Sequence, residues 1–178
     1  MAGSRGDERA WIRGAQSGSV SDLEALFRHH WPRAYRAAYL VVHDSAAAED
    51  IAQEAFLAAV RGLDRFDRRR PFGPWLHRIV VNRAIDWSRS RALRRESGDA
   101  WLGLVEAPAP PESEHAQTLA AALAGLSPEH RAVIVMRHLL EYTPGEIATA
   151  LGLPRGTVNS RLRRGLDELA GRLEQELQ

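Results

Sequence analysis

Residues 143–169, TPGEIATALGLPRGTVNSRLRRGLDEL, constrain the fold more tightly than any other stretch. They read as two short helices joined by a tight turn. Thr143 can cap the first helix, Pro144 suits its first turn, and Glu146, three residues on, completes a capping box. Ile147, Ala148 and Leu151 make the inner face. Gly152 ends the helix at a point where positive φ is often required. Leu153 and Pro154 carry the chain across, and a second helix begins near Gly156–Thr157. Val158, Leu162, Leu166, Leu169 and Leu173 then recur every three or four residues, a helical stripe.

A helix turns about 100° per residue. On that wheel Val158, Leu162, Gly165, Leu166 and Leu169 share one side, while Thr157, Ser160, Arg161 and Arg164 share the opposite side. An apolar back and a front of hydroxyls and guanidinium groups suit a helix that packs on a domain and enters a major groove. Arg forms bidentate contacts with guanine, and Ser, Thr and Arg hold phosphates. Ala148, Gly152 and Val158 fall where two crossing helices need a small residue, a turn and a core contact, as in a helix-turn-helix. An ordinary helical hairpin with a solvated Arg face would leave the agreement of so many positions unexplained.

The 178 residues suffice for one mid-sized domain or two small ones. With no Cys there is no disulfide frame, thiolate metal site or cysteine nucleophile. No apolar run approaches the ~20 residues that span a bilayer, and MAGSRGDERA lacks the apolar core of a signal peptide. A soluble, cytoplasmic protein without membrane insertion is expected. All 24 basic residues are Arg, and the net charge of +1 hides a very uneven distribution.

Residues 1–20 are polar and loosely helical. Ser21, with Glu24 three positions on, marks a helix start, and Leu23, Leu26, Phe27 and His30 share a face. A second helical stretch, 32–42, carries Tyr35, Ala38, Tyr39 and Val42. Asp44–Ser45 can cap a third helix over 46–61, and a fourth runs over 74–94. No strand-like alternation competes, so the fold class is all-α. From 96 to 114 the five charges are all acidic and Pro108, Pro110 and Pro111 cluster, which reads as a flexible, solvated linker. Helical pattern resumes with Leu119, Leu123 and Leu126, and Ser127–Pro128–Glu129 starts a helix reaching about Leu140. The expected organisation is a helical domain over 1–95, a linker over 96–114 and a second helical domain over 115–178.

Residues 61–95 hold eleven Arg against three Asp, a net of +8, with Phe66, Phe72, Trp75 and Trp87 interleaved. Guanidinium groups hold phosphates and aromatic faces stack unpaired bases, so the segment suits single-stranded or melted DNA. Equally, the aromatics can be core and the Arg residues a solvated face. The segment AEDIAQEAF, 48–56, is opposite in character: Glu49, Asp50, Gln53 and Glu54 spread over the exposed side of the third helix. Catalysis finds no support. His29, His30 and His43 lack metal-ligand spacing, and no glycine-rich phosphate loop occurs. No catalytic residue, metal or cofactor is expected.

In this order the motifs resemble a bacterial extracytoplasmic-function (ECF) sigma factor of the sigma-70 family. The match runs over about 20–95, including AEDIAQEAFLAAVR and FDRRRPFGPWLHRIVVNRAIDWSR, and over about 116–172, including LSPEHRAVIVMRHLLEYTPGEIATALGLPRGTVNSRLRRGL. The resemblance implies region 2 and region 4 joined by a linker, and a non-enzymatic role in promoter-specific initiation. It implies that Asp50, Gln53 and Glu54 bind the β′ clamp helices of core RNA polymerase. It implies that the loop around Arg65, Phe66, Arg70 and Phe72 holds a flipped minus-10 base, with Trp75, Arg78, Asn82, Arg83 and Asp86 beside it. Base flipping suits such a pocket, because a base must leave the stack before its edge can be read. Minus-35 DNA would meet Arg155, Thr157, Ser160, Arg161 and Arg164, with Arg163 a flanking phosphate contact. The helix over 133–140 would serve the β flap contact or the domain core. An anti-sigma factor is a further implied partner. The alternative is a helix-turn-helix regulator that acts without being a polymerase subunit.

Overall fold

The computed structural model describes residues 5–96 and 114–176, with side chains over 6–94 and 116–175. The described residues form helices and turns throughout. The first unit contains α1 (Arg5–Gln16), α2 (Val20–Val42), α3 (Ser45–Gly62), a 3₁₀ turn (Leu63–Arg65) and α4 (Phe72–Glu96). The second contains α5 (Glu114–Ala124), α6 (Pro128–Ile134), a π turn (Val135–Leu139), α7 (Pro144–Leu151) and α8 (Arg155–Glu176). The stretch expected as a linker lies outside the described residues, apart from Glu96 and Glu114 at the ends of α4 and α5.

Helix α2 is the hub of the first unit, touching α1, α3 and α4. Two helices were expected across 21–42, but α2 runs unbroken through Pro32. Proline inside a helix removes one hydrogen bond and costs about 3 kcal/mol. Burial on both sides offsets it: Leu26 and His30 before the proline, and Ala34, Ala37, Ala38 and Val41 after it, all face the core. Each fully buried Leu or Val is worth roughly 1.5–3 kcal/mol. The N-cap is Ser19 rather than Ser21, its hydroxyl accepting the Asp22 N–H. Asp44 caps α3 by accepting from the N–H of Ala47. Helix α3 presents Ala48, Ala52, Ala55 and Ala59 to the core, small residues that let helices approach closely. Leu76, Val80, Val81 and Ala84 of α4 are fully buried opposite them.

In the second unit α8 lies across α5, α6 and α7. Gly165 marks the crossing with α6, where an added Cβ would stand 3.0 Å from Ile134 Cδ1 and 3.1 Å from His130 Cβ. Ala132, Val133, Ile134, Val135, Met136 and Leu140 are at most 5% exposed, so this helix belongs to the core. The two units pack together. Helix α2 meets α5, α6 and the π turn, α4 meets α6 and α7, and one apolar cluster runs across both.

Candidate nucleic-acid interface

The helix-turn-helix forms as its side chains dictate. Thr143 N–H donates to Glu146 Oε2 at 2.8 Å, and Glu146 N–H donates to Thr143 Oγ1 at 3.3 Å, closing the capping box. The Thr143 N–H and hydroxyl, both donating to Glu146 Oε2, hold the Glu146 carboxyl below the usual carboxylate range. Gly152 takes φ 64°, a left-handed conformation that costs other residues about 1–2 kcal/mol. The Leu153 N–H then returns to the Ala148 carbonyl at 2.9 Å. Ile147 and Val158 are fully buried where α7 and α8 meet. Helix α8 starts at Arg155, one residue earlier than expected. Arg155, Arg163 and Arg164 are exposed, while Thr157, Ser160 and Arg161 are half-buried. All six lie within the first three turns of one helix.

The basic, aromatic segment forms one side of a cavity of about 700 Å³, and Tyr142, Gly145, Glu146, Thr149 and Ala150 of the second unit form the other. Arg65, Phe66, Arg70, Trp75 and Arg78 line it, so five of the nine expected minus-10 residues share one wall. The Phe66 and Trp75 ring centroids lie 4.7 Å apart. Both readings of the aromatics hold in part. Phe72 is 3% exposed, packed edge-on against Phe66 and Trp75, and is core. Phe66 is 9% exposed and Trp75 half-buried, so each offers the cavity part of its ring. Asp67 closes the loop from within, its carboxylate accepting the Arg69 N–H and its carbonyl the Arg70 N–H.

Three expected minus-10 residues stand outside that cavity on α4. Asn82 donates from Nδ2 to the carbonyls of Arg78 (2.9 Å) and Ala150 (3.2 Å), the latter on α7. Arg83 pairs with Glu54 at 2.5 Å, linking an expected minus-10 residue to an expected polymerase contact. Asp86 is exposed. Asp50, Gln53 and Glu54 share the open face of α3, with Gln53 Nε2 donating to Glu49 Oε1 at 3.1 Å. Sequence reasoning missed the apolar part of this face. Leu57 is 54% exposed and Val60 39%, and Phe27 of α2, 38% exposed, packs against Phe56, which shares their helix. Leu57 sits one turn beyond Gln53, so the same helical counting finds it.

The two units meet through polar pairs that no local pattern announces. Arg33 of α2 donates to the Leu139 carbonyl at 2.6 Å and pairs with Glu141, itself at φ 63°. His77 of α4 lies 2.8 Å from the Tyr142 hydroxyl. Arg89 Nε holds Glu129 at 2.9 Å. Burial opposes the Glu129 carboxylate, but the Arg89 hydrogen bond and the charges of Arg89 and Arg161 keep its carboxyl below the usual range. Among the described residues no three His, Cys, Asp or Glu gather where they could hold a metal ion. No described helix is long and apolar enough to cross a membrane.

Comparison with known proteins agrees with this arrangement at three levels. The Sigma-70 region 2 family model matches residues 26–94, and the Sigma-70, region 4 model matches residues 116–169. The ECF RNA polymerase sigma factor SigL of Mycobacterium tuberculosis is 36% identical over 158 residues, covering 86% of this chain and 89% of its own. SigW of Bacillus subtilis, also an ECF RNA polymerase sigma factor, is 31% identical over 181 residues, covering 91% and 92%. The Bartonella quintana sigma factor RpoE, solved in complex with the anti-sigma factor NepR, superposes with a TM-score of 0.72 at 25% identity. That superposition covers 87% of this chain and 98% of RpoE. With both regions matched in order and relatives aligned along most of their length, the chain belongs to the sigma-70 family as an ECF RNA polymerase sigma factor.

Proposed function

We propose that the chain directs initiation by lending core RNA polymerase two DNA-reading surfaces, working through binding energy rather than bond chemistry in the bacterial cytoplasm. The observation that carries this is the separation of three faces on one chain. They are an Arg-rich front on α8, an Arg and aromatic cavity at the start of α4, and an acidic, apolar-edged face on α3.

The α3 face fits a partner helix pair. Asp50 and Glu54 supply charge at the rim, Gln53 a neutral amide, and Leu57, Val60 and Phe27 exposed apolar area. Core polymerase would dock there through its β′ clamp helices. The cavity walled by Phe66 and Trp75 would take a flipped minus-10 base, with Arg65, Arg70 and Arg78 near its phosphates. Asn82, Arg83 and Asp86 extend that surface along α4 once Asn82 leaves Ala150. On α8, Arg155, Thr157, Ser160, Arg161 and Arg164 would meet minus-35 duplex, with Arg163 at its flank. The second unit would also approach the β flap. An anti-sigma factor is a fitting regulator, because the packed arrangement superposes on a relative solved in such a complex.

The test is run-off transcription from a pool of promoter fragments, using bacterial core polymerase with and without this protein. Transcripts that require the protein, with shared minus-35 and minus-10 elements upstream of their starts, are expected. Tight binding of the free protein to a palindromic duplex, with no protein-dependent transcript, would instead identify an independent helix-turn-helix regulator.

A further inference from the structure

Helix α1 lies outside the segment that matches Sigma-70 region 2, which begins at residue 26. Its side chains nevertheless reach both ends of the loop that walls the base cavity, one end directly and the other through His30. Glu8, Ile12 and Gln16 recur every four residues and share one face of α1. Ile12 is 1% exposed and anchors that face in the core. Gln16, at the helix end, donates from Nε2 to the carbonyl of Leu63 (2.8 Å) and to that of Phe66 (3.1 Å). A carboxamide nitrogen has two hydrogens, and these two acceptors use both. Glu8, at the other end, accepts from His30 Nε2 at 3.1 Å. The His30 bond holds the Glu8 carboxyl below the usual carboxylate range. The His30 ring packs 5.1 Å from Phe72, and a Cβ at Gly73 would stand 3.3 Å from His30 Cε1, so this end of the loop has little slack.

We infer that Gln16 and Glu8 are positioning residues for minus-10 base selection, α1 acting as a brace that fixes the Phe66 wall from beneath. The inference rests on the reading of this cavity as the flipped-base site. Discrimination at such a pocket requires its walls to hold within about 0.5 Å, and a loop held at both ends meets that demand where a free one does not. Neither residue touches DNA; Gln16 acts through the loop backbone it holds and Glu8 through His30, which packs on Phe72.

Gln16→Glu supplies the sharp test. It keeps the side chain's size but sets carboxylate oxygens against two carbonyl oxygens. Gln16→Met, which removes the donors without repulsion, carries the test if the first variant folds poorly. Holoenzyme formed with each protein would transcribe templates bearing all four bases at each minus-10 position and, separately, at each minus-35 position. The ratio between best and worst minus-10 base should fall on the order of tenfold at one position, the scale of one well-made base contact. Core affinity and minus-35 selectivity should stay at wild-type values. A uniform loss of transcription across all templates, with minus-10 selectivity intact, would make α1 a stabilising helix only and overturn the inference. Wild-type protein that gives no core-dependent transcript would overturn the flipped-base reading itself, a result distinct from either variant outcome.

Discussion

His77 shows how one side chain couples the two units to pH. It is 5% exposed, faces the Tyr142 hydroxyl, and sits near the positive charge of Arg33 and the ring of His30. Burial first, then those neighbours, lowers its pKa to about 3, so the folded protein holds it neutral. Unfolded, it titrates near 6.5. Below that value the unfolded chain binds the extra proton, so stability falls as pH drops from about 6.5 towards 3. Between pH 7 and 5 this costs about 2 kcal/mol. Denaturant midpoints at the two pH values should differ clearly in the wild type and by less in His77→Gln. Equal differences would assign the acid sensitivity elsewhere, for instance to His43, which burial lowers to about 4. Arg161 and Arg163 offer a second residue-scale test on α8. Arg161→Ala should cost about 1–3 kcal/mol at one minus-35 position if it reads a base. Arg163→Ala should weaken all sequences alike and flatten the salt dependence, as loss of a phosphate contact does. The reverse pattern would exchange their roles.

Among the elements, the helix-turn-helix was legible because its signals are local. The capping box spans four residues, Gly152 must itself take positive φ, and the Val158–Leu169 stripe is a periodicity. Thr143→Ala removes the cap and should lower stability by about 1 kcal/mol without shifting minus-35 preference, measured by thermal unfolding and promoter competition. A change in preference would mean that the cap also aims α8. Elements whose continuity depends on distant packing were not legible. Pro32 reads as a boundary until α3 and α4 are seen covering both halves of α2. The aromatic loop was half legible: its composition named the cavity lining, but not that Phe72 turns inward to His30. Gln16 and Glu8 gave no signal, since their partners lie 22 to 50 residues away.

For the whole molecule, geometry demands that the two units separate. Minus-35 and minus-10 elements lie about 25 base pairs apart, roughly 85 Å at 3.4 Å per pair. A compact chain of this length is only about 40 Å across. With the units packed as here, Asn82 on Ala150 and Arg89 on Glu129, one molecule cannot read both elements. The residues between α4 and α5 could span roughly 60 Å if extended, which is enough to bridge the difference. The contacts to break first are those of Arg33, which lies in neither proposed DNA surface nor the α3 face. Arg33→Glu loses the Leu139 carbonyl bond and sets two acids together at Glu141. The free variant should scatter X-rays with a larger radius of gyration and bind single-stranded minus-10 DNA several-fold more tightly, because Asn82 and the cavity are uncovered. Its activity in holoenzyme should match the wild type, since reading both elements already requires the units apart. An unchanged scattering profile with unchanged single-strand affinity would show that other contacts close the seam, with the buried His77–Tyr142 pair the next to remove.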